Sequence, residues 1–194
     1  MAPQDFAALV KASRTFRRFD QSTSISRETL LELVDVARFA PCGNNLQLLR
    51  YHVVSDPEQA RLCCAHHKWA GLLRDWDGPD EGERPCAYIA ICAPAGARKN
   101  AIRNQDAGIA AQTIMLAARA AGLGGCMVGS FDKELDGLLG LVDKNLETLV
   151  LLAVGVPTEQ VVLEEADEVH GVAYWHDEAQ VNHVPKLPLS ELLV

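Results

Sequence analysis

The stretch Asp106-Ala107-Gly108-Ile109-Ala110-Ala111-Gln112-Thr113-Ile114-Met115-Leu116-Ala117-Ala118 runs on through Ala121-Gly122-Leu123-Gly124-Gly125-Cys126-Met127-Val128-Gly129-Ser130. It reads as a helix of small residues that stops at Gly122 and feeds a Gly-rich turn opening into an apolar strand. Alanine on nearly every face lets other backbones come close, so burial is expected, within one chain or against a second subunit. The glycines that follow leave backbone N–H groups unobstructed, which suits a flat ligand with polar edges; the same turn also serves simple packing.

Around this segment, Phe6–Ala12 is a short helix candidate. Ser26 and Thr29 open a strong helix through Phe39, with Leu30, Leu33, Val34 and Ala37 on one apolar face. Pro41 ends it, and Gly43-Asn44-Asn45 is loop chemistry. Residues 50–55 read as a strand and 57–67 as the next helix, with 69–83 an irregular surface excursion carrying Trp69 and Trp76. Strands are expected at 87–93, 125–128 and 149–154, with a short helix at 131–141. The last strand is apolar without alternation, so covered on both faces. Helices on both faces of a mixed central sheet, an α/β sandwich of three layers, is the economical architecture. The chain reads as one domain over residues 1–194, with a more polar C-terminal extension from about 160 to 194.

Composition narrows the function. The 194 residues are 48% hydrophobic and 23% charged, with a formal net charge of −8. That balance argues against a general nucleic-acid surface, and any bound phosphate needs a local cationic cluster. Apolar runs are far shorter than a membrane span, and residues 1–10 do not resemble a signal peptide, so a cytoplasmic protein is expected. The six cysteines form no CxxC pair and are expected as reduced thiols. Cys63 and His67 could share a helical face, but two ligands do not make a metal site, so no metal is expected.

Two groups of residues could carry binding. Arg14, Arg17 and Arg18 lie within five positions, with Thr15 between them and Lys186 near the end. Guanidinium groups grip phosphate bidentately; the alternative is a solvated basic turn. Cys42, Asn45 and Gln47 form the second group. The two amides suit the edge of a heteroaromatic ring, or they cap a helix and dress a loop. No nucleophile and base are convincingly spaced, and the pairs Glu164-Glu165 and Asp167-Glu168 read as solvated surface. No catalytic side chain is expected: a bound cofactor would do the chemistry.

Four blocks, SRTFRRF (13–19), APCGNNLQLLRYHVV (40–54), DAGIAAQTIMLAARAAGLGGCMVGSF (106–131) and LLAVGVPTE (151–159), together resemble the FMN-dependent nitroreductase family in order and spacing. The resemblance covers about residues 13–158. The stretch WAGLLRDWDGPDEGERPCAYIAI and the ending YWHDEAQVNHVPKLPLSELL resemble a compact branch of that family.

What the resemblance implies is an α-β-α homodimer with FMN at the subunit interface. Arg14, Thr15 and Arg17 match the N-terminal ribityl and phosphate contacts. Cys42, Asn45 and Gln47 match the loop beside the flavin ring. Gly129 and Ser130 fall where backbone N–H groups meet the N5/O4 edge, and Lys186 matches a C-terminal phosphate contact. The chain departs from the pattern at Ser13, where Arg is usual, at Cys42, where Ser is usual, at Leu48-Leu49, where Pro-Trp is frequent, and at Leu187, where another Arg is common. The implied activity is ping-pong reduction of a small organic acceptor, such as a nitroaromatic or quinone, with NADH or NADPH as donor. The rival is a protein of the same fold with weakened FMN binding and no turnover.

Overall fold

The computed structural model describes residues 2–73 and 76–194; Arg74 and Asp75, within the Trp-containing stretch, lie outside them. Helices are α1 (Pro3–Ala12), α2 (Arg27–Ala37), α3 (Pro57–Ala65), α4 (Ala101–Ala120), α5 (Glu134–Leu138) and α6 (Leu189–Leu192). Strands are β1 (Arg50–Val54), β2 (Ala87–Pro94), β3 (Gly124–Val128), β4 (Leu146–Gly155), β5 (Val161–Glu165), β6 (Trp175–His176) and β7 (Asn182–Lys186).

Local chemistry sets the helix starts. The Ser26 hydroxyl accepts from the Thr29 N–H at 3.1 Å, and Asp56 accepts from Gln59 at 2.9 Å with Pro57 behind it. Asn100 caps α4 by accepting from the Arg103 N–H at 3.1 Å, so that helix begins five residues before the expected Asp106. It ends through Gly122, whose φ of +79° is a left-handed conformation that glycine adopts freely.

The central sheet has the order β1-β2-β4-β3, and all three pairings are antiparallel. Its mixed character enters only at the β3 edge, where Thr15 bridges Gly125 in parallel. Successive residues of β2 alternate between two cores. Ala87, Ile89, Ile91 and Ala93 pack beneath α2 and α4, whereas Tyr88, Ala90 and Cys92 pack against α3 and α5. β4 is buried from Thr148 to Gly155 apart from half-buried Val150, as its apolar run requires. Three layers result.

Ala107, Ala110, Ala111 and Ala118 of α4 are buried among α2 and sheet residues, so small side chains bring two helices and the sheet together within one chain. The opposite face of α4 leaves Ile102 and Ile109 exposed. The C-terminal extension adds a second sheet, β5-β7-β6, with β5 and β7 parallel. Among the described residues no helix is long and apolar enough to cross a membrane.

Candidate functional site

The segment after α1 runs along the edge of the sheet. The Phe16 N–H donates to the Gly125 carbonyl at 3.0 Å, Asp20 to Val156 at 2.9 Å, and Thr158 to Arg18 at 3.1 Å. Phe19 packs where Gly155 has no side chain; a Cβ there would lie 2.6 Å from its ring. This course carries Thr15 and Arg17 alongside β3, Thr15 opposite Gly125, so that both line one cavity with residues 126–130. From the other side, the chain after α3 pairs with the turn beyond β3. The Lys68 N–H donates to the Ser130 carbonyl at 2.9 Å, and His67 bridges Phe131.

A cavity of about 400 Å³ opens between these segments, lined among others by Thr15, Arg17, Trp69, Gly129, Ser130 and Tyr174. Arg17 is 8% exposed and makes no ion pair among the described residues. Its N–H donates to the Glu159 carboxylate at 2.7 Å, its guanidinium lies 4.7 Å from the centre of the Tyr174 ring, and its Nε has no hydrogen-bond partner. A buried cation without a carboxylate is costly unless an anion meets it. Gly129 faces open space: a Cβ there would meet nothing within 4 Å. Among the described residues the N–H groups of Gly129 and Ser130 donate to no protein acceptor. Anion-seeking guanidinium and open backbone donors in one cavity fit a ligand with a phosphate and a polar ring edge.

Cys126 also lines this cavity, and burial pushes its thiol up to about 11, so it presents a neutral S–H. Trp69 lines it too, while packing edge-on against His67 at 4.5 Å between ring centres. Trp69 is thus wall and packing residue at once.

The other expected site residues lie elsewhere. Arg14 donates from Nη2 to the Val10 carbonyl at 2.7 Å. Lys186 is exposed at the end of β7, beyond the residues lining the cavity. Cys42 and Gln47 line a separate cavity of about 190 Å³ with Tyr51, Arg50 and Ala110. Asn45 is exposed, and Asn44, Asn45 and Gln47 all have φ near +50°. This loop is tied to α4, where the Gly43 N–H donates to Asp106 at 2.8 Å and Asp106 faces Arg103 at 2.9 Å. Ser13, the first departure from the family pattern, contacts the Met115 carbonyl at 3.4 Å. Arg18 faces Glu83 at 3.4 Å and donates to Gln180 at 2.9 Å, so it is engaged away from the cavity.

His67 lies beyond the end of α3. Its Nε2 is 3.1 Å from the Tyr88 hydroxyl, and burial pushes its pKa down to about 4. Cys63 is fully buried, and its thiol is pushed up to about 12 by burial. The two do not form a pair of ligands on one helical face. Of the acidic pairs, Glu165, Asp167 and Glu168 are exposed as expected, and Glu164 is half-buried. Glu164 accepts from the Trp175 indole N–H at 3.1 Å and lies 2.9 Å from His183 Nδ1, and Asp167 accepts from the His170 N–H at 2.7 Å. Trp175 is stacked between His170 and His183, at 4.4 and 4.1 Å.

A cationic, glycine-lined cavity at the sheet edge of a three-layer α-β-α fold is the kind of site that takes a phosphate-bearing cofactor. Residues 10–156 match the nitroreductase family, and the chain belongs to it. Membership makes it a flavin-dependent oxidoreductase. The 4-nitrobenzoate reductase of Pseudomonas putida is 30% identical over 167 residues, 66% of this chain and 73% of that one. Other relatives carry NAD(P)H nitroreductase names, among them YodC of Bacillus subtilis strain 168, 28% identical over 156 residues (65% of this chain, 76% of that one). Among solved structures, a nitroreductase family protein from Streptococcus pneumoniae TIGR4 superposes with a TM-score of 0.69 at 16% identity, covering 97% of this chain and 98% of that one.

Proposed function

We propose that the protein is an FMN-dependent oxidoreductase that takes reducing equivalents from NADH or NADPH and passes them to a small organic acceptor, a nitroaromatic or quinone. The observation that carries this reading is Arg17, a buried cation without a carboxylate partner among the described residues, facing the same cavity as the open N–H groups of Gly129 and Ser130. FMN, when bound, supplies the hydride and electron chemistry. Arg17 and Thr15 would hold the phosphate and ribityl chain, and the Gly129 and Ser130 N–H groups would orient the ring edge and polarise it. Trp69 and Tyr174 would wall the cavity and exclude water. The working form is a homodimer in the cytoplasm. Cys42 and Gln47 line a cavity apart from Arg17, so a second copy would bring that loop to the ring. Exposed Val36, Phe39, Ile102 and Ile109, around α2 and α4, offer an apolar face for that copy. Asn45 would join the ring contacts, and Arg14 and Lys186 the phosphate contacts, after side-chain movement.

Purified protein should be yellow, release FMN on denaturation, oxidise NADH or NADPH with an added quinone or nitroaromatic acceptor, and sediment as a dimer. Colourless protein that gains no flavin absorbance on adding FMN would overturn the reading. Arg18 held by Glu83 and Gln180, with Ser13 in place of a cation, favours the second reading, a member of the fold with weak FMN binding and no turnover. Micromolar or weaker FMN affinity together with no NAD(P)H oxidation would select it.

A further inference from the structure

The three strands of the C-terminal extension meet at one histidine. His183 of β7 has its Nδ1 2.9 Å from Glu164 Oε2 of β5 and its Nε2 3.4 Å from Asp177 Oδ2, in the turn that joins β6 to β7. Its ring stacks on that of Trp175 in β6, 4.1 Å between centres and 12° between planes. Trp175 donates its indole N–H to the other oxygen of Glu164, and His170, 3.3 Å from Asp167, stacks on its far face. Among the described residues no other charged group lies within ion-pair reach of His183. β6 is only two residues long, with Trp175 and His176 paired to His183 and Asn182, so backbone bonds alone hold it weakly.

A neutral imidazole carries one N–H and one lone pair, so it donates to one carboxylate only, whereas the imidazolium donates from both nitrogens. A neutral His183 keeps its proton toward Glu164, the closer carboxylate and one already fixed by Trp175, and turns a lone pair toward Asp177. Asp177 closes its own turn by accepting from the Val181 N–H at 2.8 Å, so its position sets that of residues 177–181. We infer that protonated His183 is a latch: it ties the β6–β7 turn, through Asp177, to Glu164 on β5, and loss of its proton releases the turn. The two carboxylates hold the His183 pKa above the ordinary histidine value, the hydrogen bond to Glu164 contributing most. The latch therefore holds in full below pH 6.5 and is lost as pH rises through the raised value. None of Glu164, Asp177 and His183 lines the cavity beside β3, so the latch stands whatever that cavity binds.

Two measurements on the whole purified protein test it. Titration of the His183 ring followed by NMR should give a midpoint above 6.5 in the parent and a lower one in Asp177→Asn, which keeps an acceptor for Val181 but not the charge. Amide hydrogen exchange, corrected for the intrinsic effect of pH, should show protection across residues 175–182 falling about fivefold between pH 6 and pH 8.5, while that of β4 stays within about twofold. His183→Gln should show the low protection of 175–182 at both pH values, and His170→Gln should keep the pH dependence of the parent. Asp177→Asn should also show low protection at pH 6, which keeps the test open should the glutamine variant fold poorly. A His183 midpoint at or below 6.5, protection of 175–182 that does not change with pH, or an unaltered pH dependence in His183→Gln would overturn the latch. Loss of the dependence in His170→Gln, with His183→Gln behaving as the parent, would overturn it in favour of the other histidine.

Discussion

Asp106 should be among the costliest polar residues to replace, and the reasons can be separated experimentally. Its carboxylate lies 2.9 Å from Arg103 Nη1 with the two side chains 3% and 7% exposed, and it accepts from the Gly43 N–H at 2.8 Å. Removing one partner of a buried pair leaves an uncompensated charge and costs about 3–5 kcal/mol. The Arg103 contact is close but poorly aligned as a hydrogen bond, which places the cost at the lower end. The unpaired Gly43 N–H adds about 1 kcal/mol. Asp106→Ala is therefore expected to lose about 3–4 kcal/mol, a fall in Tm of roughly 6–16 °C for a domain of this size.

Asp106→Asn retains an acceptor for Gly43 but abandons Arg103, so it should lose about 2–3 kcal/mol. Arg103→Met combined with Asp106→Leu should be milder than Asp106→Ala, because no charge is left buried and the lost volume is largely restored. Thermal and urea unfolding at one fixed protein concentration read these differences without interference from association. Single variants that each cost under about 1 kcal/mol, or a double variant as poor as the sum, would refute the buried-pair reasoning.

Gly155→Ala should cost about 1–3 kcal/mol in urea unfolding because its Cβ would meet the fully buried Phe19 ring, whereas Gly137→Ala in α5, with open space around it, should be neutral or stabilising. His67 should make the fold acid-sensitive. Its pKa falls from 6.5 to about 4 on burial, so below pH 6.5 the unfolded chain binds the proton first. Stability should then drop by up to about 3 kcal/mol as pH falls from 6.5 to 4, and His67→Gln should flatten that part of the profile. Cys42→Ser should keep NAD(P)H-dependent turnover within a few-fold of the parent, since a bound flavin needs no protein thiolate; normal FMN binding with activity lost by orders of magnitude would place Cys42 in the chemistry.

Much of the architecture was legible because periodicity reports burial directly. Leu30, Leu33 and Ala37 are the buried stripe of α2, and unalternating β4 is covered on both faces. Strand direction was less legible. The mixed sheet expected from alternating helices and strands is antiparallel throughout its four strands, and the parallel element is a single bridge from the N-terminal segment. Nothing in the apolar pattern of a strand encodes the direction of its neighbour. Helix bounds moved where caps decided them: Asn100 extends α4 backwards, and α5 spans only Glu134–Leu138 of the expected 131–141.

The candidate site was legible as a list of residue types and illegible as a set of partnerships. Three arginines within five positions look interchangeable in sequence, yet the fold gives each a different task. Arg14 donates to a backbone carbonyl and Arg18 is engaged by Glu83 and Gln180. Arg17 is buried over an aromatic ring, and its guanidinium makes no ion pair among the described residues. Tyr174 and Glu159, which make that difference, come from 157 and 142 positions further along the chain. Spacing can count cations near a phosphate motif. What distinguishes these cations is what the rest of the chain lays against them: an aromatic ring against Arg17 and a carboxylate against Arg18.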